Sequence, residues 1–141
     1  MPDHLAVLKP PYLRLIVEGV KTIECRLTRT PKPPFKRINK GDKVYLKQSS
    51  GPVLAVGRAA KVICRQINGL EDLERIRREY GEEIMAQEEF WKARQTCRYC
   101  TLVFLKDVQA LAEPFRIDKC DMRGWVVLDG KQGFNWPGGA S

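Results

Sequence analysis

An α+β fold, built as a small mixed β-barrel of five or six strands with two or three inserted helices, is what this sequence predicts. Three observations predict it. Several short runs alternate apolar and polar residues with a period of two, stretches of helical spacing interrupt them after the first and fourth runs, and Gly57 falls where a small barrel must bend a strand. With 141 residues, 43% of them hydrophobic, the chain can bury one core. It is expected to form a single domain over residues 1–130 with a flexible C-terminal tail over 131–141.

The elements follow in order. Leu5 to Leu8 is a short apolar strand, Pro10 and Pro11 punctuate it, and Tyr12 to Glu18 carries apolar residues at helical spacing. Gly19 fits the left-handed position that closes such a helix. From Thr22 the period becomes two, with Ile23, Cys25 and Leu27 on one face and Thr22, Glu24 and Arg26 on the other. Pro31 to Asn39 is a loop, since Pro31, Pro33 and Pro34 remove backbone donors, and Lys40-Gly41-Asp42 turns into a third strand from Lys43 to Gln48. Val53 to Arg65 is long for one strand, and Gly57 allows a bulge. Asn68 and Glu71 have capping-box spacing, and Leu70, Leu73, Ile76 and Tyr80 form an apolar stripe. Ion pairs four residues apart, Glu71 with Arg75 and Glu74 with Arg78, would support its exposed face. Gly81 is expected to end this helix, with a further helix over Glu82 to Arg94. Tyr99 to Leu111 and Trp125 to Leu128 return to strand character.

The net charge is +8, from 25 basic and 17 acidic residues. Arg26, Arg29, Lys32, Lys36, Arg37, Lys40, Lys43 and Lys47 face a single acid, Asp42, across one stretch. Such a block beside a proline-rich loop is either a solvated, flexible loop or a footprint for a polyanion, of which nucleic acid is the commonest. No run approaches the roughly 20 apolar residues of a membrane span, and the N-terminus lacks a secretion-signal layout, so a cytoplasmic protein without membrane association is expected. An odd count of five cysteines argues against a disulfide framework. Cys25 and Cys64 read as small core residues. Cys97 and Cys100 have the spacing of half a zinc knuckle, but no second pair follows and strand residues three apart face opposite ways, so neither metal nor other cofactor is expected. His4 is assigned no role.

Leu8-Lys9-Pro10, the segment Gly19 to Arg26, Lys40-Gly41-Asp42 and Arg123-Gly124-Trp125 together resemble the ASCH domain, a branch of the PUA-like superfamily. The most specific part is Gly-x-Lys-Thr-x-Glu-x-Arg at 19 to 26, and the similarity runs from Leu5 to about Leu128. The resemblance implies a compact β-barrel with a cleft beside the first helix, and a partner that is RNA or a nucleotide or nucleoside. Some members are amidohydrolases that remove acyl groups from N4-acetylcytidine. They use the lysine matching Lys21, a threonine three residues after it, and a later glutamate, which Glu79 or Glu82 could match. Here the threonine position holds Glu24, so the attacking hydroxyl is missing.

Three versions of the chemistry remain open. In a recognition site, Lys21 and Arg26 hold a phosphate or carbonyl, and Glu24 accepts from a base amino group. Lys9, Lys47 and Arg58 extend the positive rim, while Tyr12 and Tyr45 either stack on an unpaired base or simply pack. In a hydrolase, an amidohydrolase or a metal-independent ribonuclease, Glu24 is the general base and Lys21 steadies the oxyanion. In the third version, Glu24 forms a salt bridge that merely orders the strand. The leading expectation is a monomeric module that recognises single-stranded RNA or a modified nucleoside in a basic cleft, with the hydrolase as the alternative.

Overall fold

The computed structural model describes residues 2–137. Within them the order is β1 (Asp3–Leu8), α1 (Pro10–Val17), β2 (Ile23–Thr28), β3 (Lys43–Gln48), β4 (Val53–Gln66), α2 (Leu70–Ile84), α3 (Glu88–Ala93), β5 (Tyr99–Phe115) and β6 (Trp125–Leu128). The strands form one curled, half-barrel sheet in the order β2-β5-β4-β3-β1-β6, so β2 and β6 are its two edges. β1 runs parallel to β3, and the other pairs are antiparallel. The α+β class, the small mixed barrel-like sheet of six strands and the helices after the first and fourth strands match the sequence reading.

Local chemistry accounts for most element ends. α1 begins at Pro10, whose fixed φ suits a first helical turn, and Gly19 closes it at φ +79°. α2 does not stop at Gly81 as expected. It continues to Ile84 and closes on Met85 in the left-handed conformation, with no capping box between Asn68 and Glu71. Asp72 instead accepts from the Asn68 amide at 2.8 Å. Burial of Ile84 alongside Leu73 and Ile76 outweighs the roughly 1 kcal/mol that a mid-helix glycine costs. α3 is consequently one short turn and a half, and α2 is tied to its neighbours by Arg77 with Glu88 and Arg65 with Glu79 rather than by the pairs expected along its own face. β5 runs past Leu111 to Phe115. Pro114 lies in a stretch skipped by the ladder, where pairing jumps from Ala110 to Phe115.

Three apolar clusters hold the sheet. Leu8, Leu13, Ile16, Val44, Leu46 and Val103 fill the barrel interior. Ile23, Cys25, Leu27, Ile76, Ile84 and Trp91 join α2 and α3 to the β2–β5 pair. Leu5, Tyr45, Val53 and Val126 form the outer cluster, against which Phe134 and Trp136 pack. Residues 131–137, expected within a flexible tail, thus contribute apolar contacts, and 138–141 lie outside the described residues. Cys64 is half-buried rather than core, with its sulfur accepting from the Lys36 amide.

At Gly57 a side-chain carbon would stand 2.8 Å from Val108 Cγ2, because the bulged ladder brings β5 close. Gly57→Ala is therefore predicted to destabilise the fold by about 1 to 3 kcal/mol, read from the denaturant midpoint at unchanged slope.

His4, left without a role by the sequence, is fully buried and joins three segments. The Trp125 indole N–H donates to His4 Nδ1 at 3.0 Å, so Nδ1 must be bare and the ring proton sits on Nε2. Nε2 then donates to Asp42 Oδ2 at 3.1 Å, and the same oxygen accepts from the Asn39 amide at 2.8 Å. This gives the Lys40-Gly41-Asp42 turn a structural purpose. Burial lowers the His4 pKa below its usual 6.5 and outweighs the opposing pull of Asp42. Since the folded pKa is the lower one, the unfolded chain takes up the proton first. Stability is predicted to be level above about pH 6.5 and to fall below it, by at most about 1.4 kcal/mol per pH unit. Denaturant titrations from pH 7.5 downward check this, and His4→Gln should remove that part of the slope.

Candidate functional site

The two sheet edges, β2 and β6, do not pair with each other, and Arg26 bridges the gap. From β2 its guanidinium donates to the Gly124 carbonyl just before β6 at 3.1 Å and to the Val7 carbonyl of β1 at 3.0 Å. Its Nε donates to Glu24 Oε2 at 2.7 Å. Gly124 is glycine for a reason of space, since a Cβ there would lie 2.9 Å from the Arg26 Nη1. The guanidinium also stands 5.4 Å from the centre of the Trp125 ring.

A cleft of about 950 Å³ opens along this seam. β2 forms one wall, the end of β1 and Tyr12 of α1 form another, and Met122 to Val127 with the stretch after β6 form the third. Gln87, Phe90 and Arg94 close the end near α3. Lys9, Tyr12, Lys21, Glu24 and Arg26 all line it, as the sequence reading grouped them. Tyr45, Lys47 and Arg58 do not. Tyr45 lies on the outer face beneath Trp136, Lys47 is buried with its ammonium on the Gln48 carbonyl, and Arg58 is exposed with its guanidinium on the Gly41 carbonyl. The cause is strand alternation. Val44 and Leu46 take the inner face of β3, so Tyr45 and Lys47 must point outward.

Glu79 pairs with Arg65 at 3.7 Å and lines a separate shallow depression, while Glu82 is exposed and outside the cleft. Thr22 is likewise exposed and outside it. Arg94, whose guanidinium lies 3.9 Å over the Phe90 ring, Arg123 and Trp125 were not assigned to the site from sequence, although Arg123-Gly124-Trp125 was already conspicuous as a motif.

Lys21 is buried, and its ammonium has three oxygen neighbours for its three protons. It donates to the Ile23 carbonyl at 2.9 Å and to the Ile84 carbonyl, and lies 3.4 Å from Glu24 Oε1. Ile84 ends α2, so the cation sits at a helix C-terminus, where the macrodipole favours it. Lys21 therefore spends its protons inside the protein. Glu24, also buried, has one cation at each oxygen and spare acceptor capacity toward the cleft it lines.

A family model described as ASCH domain matches residues 7–116, and the chain belongs to that family, a PUA-like fold generally associated with RNA binding. No curated protein sequence matches the chain. Among solved structures, ASCH from Zymomonas mobilis is similar at 16% identity with a TM-score of 0.68, covering 92% of this chain and 90% of that one. A tyrosine-to-phenylalanine mutant of the same protein gives 17% identity and a TM-score of 0.69, with 89% of each chain covered. These likenesses establish the fold.

Removing Lys21 would strand Glu24 and two carbonyls in a buried place. Lys21→Ala is predicted to cost about 3 kcal/mol or more of folding stability, while Lys9→Ala, on the exposed rim, should change it by less than about 0.5 kcal/mol. Urea midpoints of the two variants check the contrast.

Proposed function

We propose that this ASCH-family protein recognises single-stranded RNA, or a nucleoside within it, by placing one unpaired base in the seam cleft. The observation that carries this reading is Glu24, a carboxylate fixed between Lys21 and Arg26 with acceptor capacity left over at the cleft wall. A carboxylate so held accepts from an exocyclic amine, and cytosine offers one where uracil offers a carbonyl that Glu24 would repel. Tyr12, Phe90 and Trp125 offer apolar surface for the base, and the exposed cations Lys9, Lys32, Arg37 and Arg123 ring the mouth where flanking phosphates would run. Lys21 acts here by positioning Glu24, not by touching the phosphate.

Recognition fits the site better than hydrolysis. Lys21 has no proton to spare for an oxyanion, and the position of the family amidohydrolases' threonine holds Glu24.

Affinity for a short cytidine-rich RNA is predicted to fall with salt, by about 0.7 log units per log unit for each phosphate contacted. Glu24→Gln, whose amide can serve either base, should shrink the preference for cytidine over uridine by about tenfold, the low end of what one base contact contributes. Fluorescence anisotropy with labelled oligonucleotides measures both. Absence of binding at low salt, or a preference untouched by Glu24→Gln, contradicts the reading.

A further inference from the structure

Three cations stand abreast on the outer face of the sheet, outside the cleft. Lys43 of β3 pairs in register with Arg58 of β4, and Arg58 with Lys106 of β5, so one row across three strands reads Lys, Arg, Lys. Directly paired residues project from the same face with Cβ atoms about 5 Å apart, and like charges so placed repel. None of the three forms an ion pair among the described residues. Arg58 donates to the Gly41 carbonyl at 3.0 Å, and the Lys43 ammonium lies 5.9 Å from the Tyr45 ring centre. The neighbouring Asp42 is turned inward to His4, leaving the row without that acid.

Farther along the same face the cations are largely engaged within the protein. Two positions beyond Tyr45 on β3 lies Lys47, whose ammonium donates to the Gln48 carbonyl at 3.2 Å; burial above all, with the charges of Lys119 and Arg116 adding to it, lowers its pKa, and Lys119 is itself paired with Asp121 at 3.1 Å. Tyr45, between the two groups of cations, is covered by Trp136 at a ring separation of 4.9 Å. The surface therefore offers charge but no open aromatic platform for a base.

We propose that this outer face is a second, sequence-independent RNA surface that takes the phosphate backbone of a strand extending beyond the cleft. Repeated anions match a row of unpaired cations, and the covered Tyr45 leaves the bases unread. The inference goes beyond the cleft reading and can stand or fall separately from it.

The test compares wild type with the triple variant Lys43→Ala, Arg58→Ala, Lys106→Ala on three probes, an RNA of about 24 nucleotides, cytidine monophosphate and poly-glutamate. The variant is expected to bind the long RNA about tenfold more weakly, with a salt slope reduced by about 2, the equivalent of three single-strand phosphate contacts, while its nucleotide affinity is unchanged. Thermal melts of the variant confirm folding, and Lys106→Ala alone, at an exposed position, should give about a third of the slope change. Wild-type affinity and slope in the triple variant would overturn the proposal. So would an equal loss for poly-glutamate, which would point to an acidic protein instead. If wild type fails to bind the nucleotide, the cleft reading fails, and the long-RNA comparison still decides the outer surface.

Discussion

Arg26 joins two sheet edges that backbone pairing leaves apart. A half-barrel must keep its open seam from spreading, and its backbone ladders end at β2 on one side and β6 on the other. One guanidinium spans the gap because it carries its donors in a rigid fork, and each of its three nitrogens donates to a different acceptor, on β2, on β1 and on the residue before β6. The seam is thereby closed by a side chain rather than a ladder. That substitution leaves room beside it, and the room is the cleft. Gly124 belongs to the same constraint, since any side chain there would displace the guanidinium.

The rest of the site follows from keeping Arg26 in place. Its Nε needs a partner, and Glu24, two residues away on the same strand face, supplies one; the second Glu24 oxygen then meets Lys21, which anchors on the end of α2. Trp125 lies beneath the guanidinium and is held by His4, which in turn is held by Asp42. A continuous run of polar contacts thus crosses the protein from the Lys40-Gly41-Asp42 turn to α2. A carboxylate fixed this firmly suits the reading of a fixed hydrogen-bond donor.

Much of this was legible in the sequence. The period-two run from Ile23 put Glu24 and Arg26 on one face, and the glycine at 19 marked the helix end that delivers Lys21 to the seam. Four things were not legible, each for a physical reason. By charge Lys47 and Arg58 look like rim residues, and Tyr45 could equally stack on a base or pack, but which face of β3 and β4 meets the core is settled only by pairing across the sheet. α2 passes through Gly81 because Ile84 gains more from burial than a glycine costs, and local propensity cannot see that partner. His4 was silent because its two partners lie 38 and 121 residues away in sequence. Lys21 was read as a ligand contact, whereas its protons are used within the fold, an assignment that requires knowing where α2 ends.

The three tryptophans report separately on the three regions of the molecule: Trp125 on the cleft, Trp136 on the outer face and Trp91 on the core beneath the helices. An NMR titration with cytidine monophosphate, following their indole N–H signals, tests the central claim most directly. A base seated in the seam should shift the Trp125 signal saturably and leave Trp91 and Trp136 in place. A Trp125 signal that stays fixed while the nucleotide binds, or a shift confined to Trp136, would contradict the account.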